Sequence, residues 1–337
     1  MSNETVSKPK NGLSFKSKLL LTASSIISGI ACRSDGTVNR RLLNLADLHT
    51  PPSDTPINGV STYDFTIDAS RQLWFRLFVP VHDSSDHLPV IIFFHGGGFV
   101  HYSPSTTPFD TLCRRIAGDS HAVVISVNYR LAPEHKFPAQ YEDGFDAVKF
   151  VDVEIREKVA GFPAAADLGR CFLAGDSVGG NLAHHVAVRC GGFDFKEVKI
   201  RGLVMIQPFF GGEVRTDSET RLGNGGDLTL KRTDFFWKAF LPNGSNRDHL
   251  AVNVFGHESS KEDSLSGIEY PNTLVIVGGL DLLQDWQRRY VDGLKRSGKE
   301  VELVEFSDAG HGFYGTTEFA EFDMLIAKIG EFVVKHT

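Results

Sequence analysis

The chain has 337 residues, 41% of them hydrophobic and 23% charged, enough for one large α/β domain, and no linker-like stretch divides it. Lys+Arg 35 against Asp+Glu 42 gives a net charge of −7, and with no long basic run this excludes nucleic acid as the partner. The four cysteines, Cys32, Cys113, Cys171 and Cys190, form no C-x-x-C pair and read as reduced, buried thiols of a cytosolic protein.

In chain order, residues 1–13 are polar and are expected to be a disordered tail. Lys16-Ser17-Lys18 before the apolar stretch Leu19 to Cys32 resembles a signal peptide. Thr22, Ser24, Ser25, Ser28 and Gly29 interrupt that stretch too often for a membrane span. Leu19, Ala23, Ile26, Ile27 and Ile30 share one helical face, which predicts an amphipathic helix covering an apolar surface, with no stable membrane insertion. Asp35-Gly36 marks a turn and Pro51 to Pro56 an extended connector, so residues 14–56 read as an N-terminal extension, a lid or cap on the main domain at 57–337.

Strands are expected near Leu73 to Val79, Val90 to Phe94, Val123 to Val127, Cys171 to Ala174, Leu203 to Gln207, Leu274 to Val277 and Val301 to Phe306. Helices are expected near Phe109 to Ala117, Ala139 to Val153, Asn181 to Arg189, Asp285 to Ser297 and Phe319 to Val334. Continuous apolar runs such as Val90 to Phe94 require a sheet buried on both faces. The predicted class is α/β, a mostly parallel sheet with helices on both faces. Over about 208–270 the rhythm breaks, which predicts a cap insertion with an aromatic helical island, Thr233 to Phe240. Extension and insertion would together roof the carboxyl ends of the strands, where sites of such sheets lie. Each of Phe235, Phe236, Trp237 and Phe240 reads equally well as core packing.

Gly175-Asp176-Ser177-Val178-Gly179 follows the apolar run Cys171 to Ala174 and precedes a helical pattern. Strand, turn and helix are the context of a G-x-S-x-G nucleophile elbow, which presents the Ser177 hydroxyl on a sharp turn. His95-Gly96-Gly97-Gly98-Phe99 leaves the strand Val90 to Phe94, so the N–H groups of Gly97 and Gly98, with that of Val178 after the nucleophile, are the candidate oxyanion donors. Of thirteen histidines, His311 is the candidate base, in a loop after the last predicted strand; His184 and His185 lie on the helix behind the nucleophile, and His95 braces the donor loop. Asp281, at another strand end, is the candidate acid, ahead of Asp285 and Asp308. The order Ser177, Asp281, His311 is the one expected of an α/β-hydrolase fold, with His311 taking the Ser177 proton and Asp281 orienting the imidazole. No His or Cys pair falls at metal-ligand spacing, and this chemistry needs no organic cofactor.

With His95 to Phe99, Asn128 to His135 and Gly175 to Ser177, the chain resembles the plant carboxylesterases of the hormone-sensitive lipase family from about Phe15 to the C-terminus. Arg33 to Arg40, Asn58 to Val60, Trp237 to Phe240 and Gly279 to Leu283 make it similar to the gibberellin receptors, the non-hydrolytic branch of that family. The resemblance implies that the extension closes as a lid, over hormone in the receptors and over a substrate here. It also implies two departures: the receptors have an aliphatic residue where this chain has His311, and serine where it has Gly98. Their hormone-contacting Asp-Arg pair and tyrosine correspond to Arg232, Thr233 and Phe236. The expected function is hydrolysis of small to medium carboxylic esters, with hormone binding as the rival reading and a dehydratase or cyclase of specialised metabolites as the third. A small-molecule ester is the expected partner, and the chain is expected as a monomer or homodimer in the cytoplasm or nucleus.

Overall fold

The computed structural model describes residues 3–6, 13–83, 87–226, 228–256, 265 and 267–337. Among these, nine strands form one sheet: β1 (Asn3–Val6), β2 (Val60–Asp68), β3 (Leu73–Pro80), β4 (Leu88–Phe94), β5 (Val123–Asn128), β6 (Ala166–Asp176), β7 (Ile200–Ile206), β8 (Asn272–Gly278) and β9 (Val301–Phe306), in the spatial order β1-β9-β8-β7-β6-β4-β5-β3-β2. From β1 across to β5 every pairing is parallel, while β3 pairs antiparallel with β5 and β2 with β3. The helices are α1 (Phe15–Ala31), α2 (Arg40–Ala46), α3 (Thr107–Asp119), α4 (Ala139–Val153), α5 (Ile155–Lys158), α6 (Val178–Cys190), α7 (Asp217–Leu222), α8 (Leu230–Phe240), α9 (Gln284–Arg296) and α10 (Ala320–His336).

The apolar runs are long because the sheet is covered on both faces. In β4, Val90, Ile92 and Phe94 face one cluster, with Phe145 of α4, Leu182 of α6 and Leu294 of α9, while Ile91 and Phe93 face the other, with Ile116 of α3 and Phe332 of α10. All five are fully buried. Each such burial is worth about 1.5–3 kcal/mol, so the strands are the most firmly placed part of the chain. That rigid floor brings the carboxyl ends of β4, β6, β7 and β8 side by side.

Two expectations are corrected. Asn3–Val6, assigned to a disordered tail at 1–13, forms β1 and pairs in parallel with β9; most of the remaining tail lies outside the described residues. The pairing covers the outer edge of β9, whose backbone groups would otherwise have no strand partner, and Lys328 of α10 reaches Glu4 at 2.8 Å. The second correction concerns α1, which forms where the periodicity predicts it but faces the other way. Leu19, Ile26 and Ile30 are 60%, 58% and 64% exposed, whereas Ser28 and Ala31 are buried. The serine face is inward because the body offers polar partners there: His101 Nε2 lies 3.5 Å from both Ser28 Oγ and Cys32 Sγ, and Arg232 of α8 donates to Ser25 Oγ at 3.3 Å.

The sequence reading also omits β2, although Tyr63, Phe65 and Ile67 alternate and all pack against the core. Over 208–270, α8 extends the predicted island. Trp237 stacks on Phe209 at 4.3 Å and Phe240 on Phe99 at 4.1 Å. Both are core residues, as is Phe236, whose ring lies against Gly98 of the donor loop. No helix among the described residues is long and apolar enough to cross a membrane.

Candidate active site

At the end of β6 the chain reverses within one residue. Ser177 has φ 52° and ψ −119°, and α6 begins at Val178. A non-glycine residue in this region carries a strain of about 1–3 kcal/mol, tolerated only where the surroundings over-determine it. The Ser177 N–H donates to the Ile206 carbonyl of β7 at 2.9 Å, and its own carbonyl accepts from Gly180 and Asn181 in the first turn of α6. The close packing also explains Gly179: a Cβ there would stand 1.9 Å from the Phe94 carbonyl oxygen, where β4 enters the donor loop.

The structure brings Ser177, His311 and Asp281 together although they come from three separate loops. Ser177 Oγ lies 3.0 Å from His311 Nε2, and His311 Nδ1 lies 2.8 Å from Asp281 Oδ2. Asp281 is fully buried; its Oδ1 accepts from the Leu283 N–H at 2.9 Å and its Oδ2 from Gln287 Nε2 at 2.9 Å. With its lone pairs so occupied, this carboxylate is a fixed acceptor for the imidazole N–H. Asp285 lies elsewhere, accepting from the Ser218 N–H at the start of α7.

Three positioning residues escape the sequence reading. Gln207, at φ 45° just past β7 and fully buried, donates to the Gly310 carbonyl at 3.0 Å and accepts from the Gly312 N–H at 2.8 Å, bracketing His311 on both sides. Gln287 of α9 steadies Asp281. Asp176, next to the nucleophile, accepts from Tyr314 Oη at 3.0 Å and from the Gly96 N–H, so it ties the histidine loop to the donor loop. Burial pushes its carboxyl up to about 7. Asp176 lies within the elbow motif, which marks its position; Gln207 lacks any local signal because its partners are 103 and 105 residues away, whereas Gln287 lies only six residues from Asp281, one to two helical turns on.

The donor loop opens from β4. His95 stacks on Tyr129 at 4.4 Å, its Nδ1 lies 2.8 Å from the Gly96 carbonyl, and Tyr129 Oη donates to the His95 carbonyl at 2.7 Å. Burial holds the His95 imidazole down to about 4, so it stays neutral as a brace. Gly97 and Gly98 follow at φ 104° and 67°. A Cβ on Gly98 would stand 2.4 Å from the Phe236 ring, so that ring fills the space a side chain would need. Val178 opens α6, where backbone N–H groups and the helix dipole favour negative charge. Chemically, the site combines a hydroxyl in contact with a base, an oriented base, and a glycine turn packed against the elbow.

Residues 91–315 match the alpha/beta hydrolase fold family. The chain is 40% identical over 316 residues to the gibberellin receptor GID1C of Arabidopsis thaliana, covering 89% of this chain and 88% of the receptor. It is 35% identical over 286 residues to carboxylesterase 20 of the same plant, covering 82% and 86%. Among solved structures, an alpha/beta hydrolase enzyme from the metagenome of Lake Arreo, Spain, superposes with a TM-score of 0.72 at 26% identity, over 97% of this chain and 99% of that one. The elbow at a strand end, the sheet beneath it and a match that spans most of the chain lead to one conclusion: this chain belongs to the α/β-hydrolase-fold family, among relatives that include gibberellin receptors and plant carboxylesterases.

Proposed function

We propose that this chain is a serine carboxylesterase acting on small to medium carboxylic esters. The observation that carries the reading is the continuous contact from Ser177 Oγ to His311 Nε2 at 3.0 Å and from His311 Nδ1 to Asp281 at 2.8 Å. His311 Nε2 takes the hydroxyl proton as Ser177 Oγ bonds to the acyl carbon, and the resulting oxyanion faces the N–H groups of Gly97, Gly98 and Val178. His311 then returns the proton to the departing alkoxide oxygen, which leaves as the alcohol and an acyl-enzyme behind. Water, deprotonated by the same imidazole, adds to the acyl carbon; the Ser177 Oγ–C bond then breaks, the imidazolium returns its proton to Ser177 Oγ, and the acid leaves. Asp281 stays ionised and holds the imidazole tautomer. The Phe236 ring beside Gly98 limits the space next to the reacting carbonyl and supports the preference for compact acyl groups.

The test is hydrolysis of 4-nitrophenyl acetate with fluorophosphonate labelling of Ser177. Ser177→Ala should lose label and lower kcat by about 10⁴-fold or more. Retained turnover in that variant removes the elbow from the mechanism, and faster turnover of long-chain emulsions than of acetyl or butyryl esters removes the size preference. The similarity to a gibberellin receptor over 89% of the chain sustains a second reading as a hormone-binding protein. Equilibrium binding of gibberellin without any labelling would select it.

A further inference from the structure

The backbone of the turn that carries two of the candidate oxyanion donors is held from the N-terminal extension by the Arg40 side chain. Gly97, Gly98 and Phe99 have φ of 104°, 67° and 60°, and Tyr102 follows at 75°. For Phe99 and Tyr102, which bear a Cβ, this is a strained region that persists only under external support. The turn closes on itself where the Val100 and His101 N–H groups both donate to the Gly97 carbonyl, at 3.0 and 2.9 Å. It is anchored outward where the Ala132 N–H donates to the Phe99 carbonyl at 2.8 Å. The carbonyls of Val100 and Ala132 therefore flank the strained segment, and the Arg40 guanidinium donates to both. Arg40 Nε also donates to Glu134 at 2.9 Å, which fixes the fork in place, and this contact holds the Glu134 carboxyl below its ordinary range.

Binding three acceptors at once needs the rigid fork of an arginine, which a lysine ammonium does not reproduce. Other ties between the extension and the body serve other places. Ser14 and Ser17 bind Glu318, Ser25 binds Arg232, and the Ser34 carbonyl accepts from Lys238. Ser28 and Cys32 reach only the side chain of His101.

We propose that Arg40 is a positioning residue for the oxyanion-binding turn, so that docking of the extension completes the donor geometry as well as covering the site. The proposal rests on the esterase reading above. Gly97 and Gly98 N–H groups matter most when charge has developed on the carbonyl oxygen, so loosening the turn should act on the transition state and spare ground-state binding.

In Arg40→Ala, kcat for 4-nitrophenyl acetate should fall about tenfold to thirtyfold with KM changed by less than about twofold. Affinity for an aryl trifluoromethyl ketone, which adds to Ser177 as an oxyanion, should fall by the same factor. Millimolar guanidinium should restore part of kcat in Arg40→Ala and none in wild type. Glu134→Gln should show a smaller loss of the same kind, about threefold. Amide hydrogen exchange over 95–102 should quicken in Arg40→Ala while the strands stay protected. An unchanged kcat, a rise in KM alone, or unaltered exchange over 95–102 overturns the proposal. A wild-type protein that neither hydrolyses esters nor takes the fluorophosphonate sinks the esterase reading instead, and the exchange measurement still decides whether Arg40 holds the turn.

Discussion

Around Ser177 the polar groups are buried and held from several sides, whereas α1 of the extension meets the body through directed polar contacts and turns Leu19, Ile26 and Ile30 to the outside. Asp281 accepts from His311, Leu283 and Gln287 with no exposure at all. On α1, Ser25 and Ser28 face the body while Leu19, Ile26 and Ile30 are exposed. Hydrogen bonds of this kind contribute about 0.5–1.5 kcal/mol each, against about 1.5–3 kcal/mol for each fully buried strand side chain. A buried sheet thus meets an extension laid on it through polar ties, and Arg40 carries three of them, to Val100, Ala132 and Glu134.

The sharpest break is expected on the floor. Gly98→Ala would press a Cβ into the Phe236 ring and force an alanine to φ 67°, so kcat/KM should fall about 10²–10³-fold, as for loss of an oxyanion donor. Adding Phe236→Ala should recover the part due to the ring. No recovery would assign the whole effect to the backbone. Next, Gln207→Ala removes both hydrogen bonds that bracket His311, and kcat should drop about tenfold to a hundredfold with KM little altered. An effect on KM alone would mean that Gln207 serves substrate binding.

The pH dependence separates two kinds of buried group on the floor. Burial depresses His95 to about 4 and His101 to about 3 from the ordinary 6.5. Between those values the unfolded chain binds more protons than the folded one, so stability is lost as pH falls from 6.5 toward 4. Asp176 has the opposite sign: burial raises it from 3.8 to about 7, the folded chain keeps a proton that the unfolded chain has released, and stability is lost as pH rises through that window. Asp176→Asn should therefore gain in urea midpoint over wild type near about pH 8 and lose that advantage near about pH 4. A difference independent of pH would show that the carboxyl is not held protonated.

The smallest effects belong to the extension. Ile26→Ser and Ile30→Ser should each change unfolding free energy by less than about 0.5 kcal/mol, because those side chains are exposed. Ser28→Leu, on the buried face, should cost about 1–3 kcal/mol or release the extension, seen as new protease cleavage within residues 14–46. Equal effects at the two faces would erase the contrast between them.

Much of the fold is legible in local pattern. Val90 to Phe94 is apolar throughout, Val301 to Phe306 is apolar but for Glu302 and Glu305, and Gly175 to Gly179 sits between strand and helix, so these elements form where the residues predict them. The spacing of Leu19, Ile26 and Ile30 likewise predicts α1. It does not say which face goes inward, because a two-faced helix settles against whatever the rest of the chain offers, here His101 and Arg232. Nor could residue type reveal Gln207, Gln287 or Arg40 as supports. Arg40 meets Val100 and Ala132 across 60 and 92 residues, and a hydrogen bond over such a distance leaves no periodicity behind. By itself the sequence determined most of the strands and helices and the chemistry-bearing motifs, since backbone sterics and side-chain burial act over a few neighbouring residues; β1 and β2 escaped it. The tertiary structure alone decided which surfaces meet and which groups hold the reacting ones in place, since those contacts exist only once the sheet has brought its loops together.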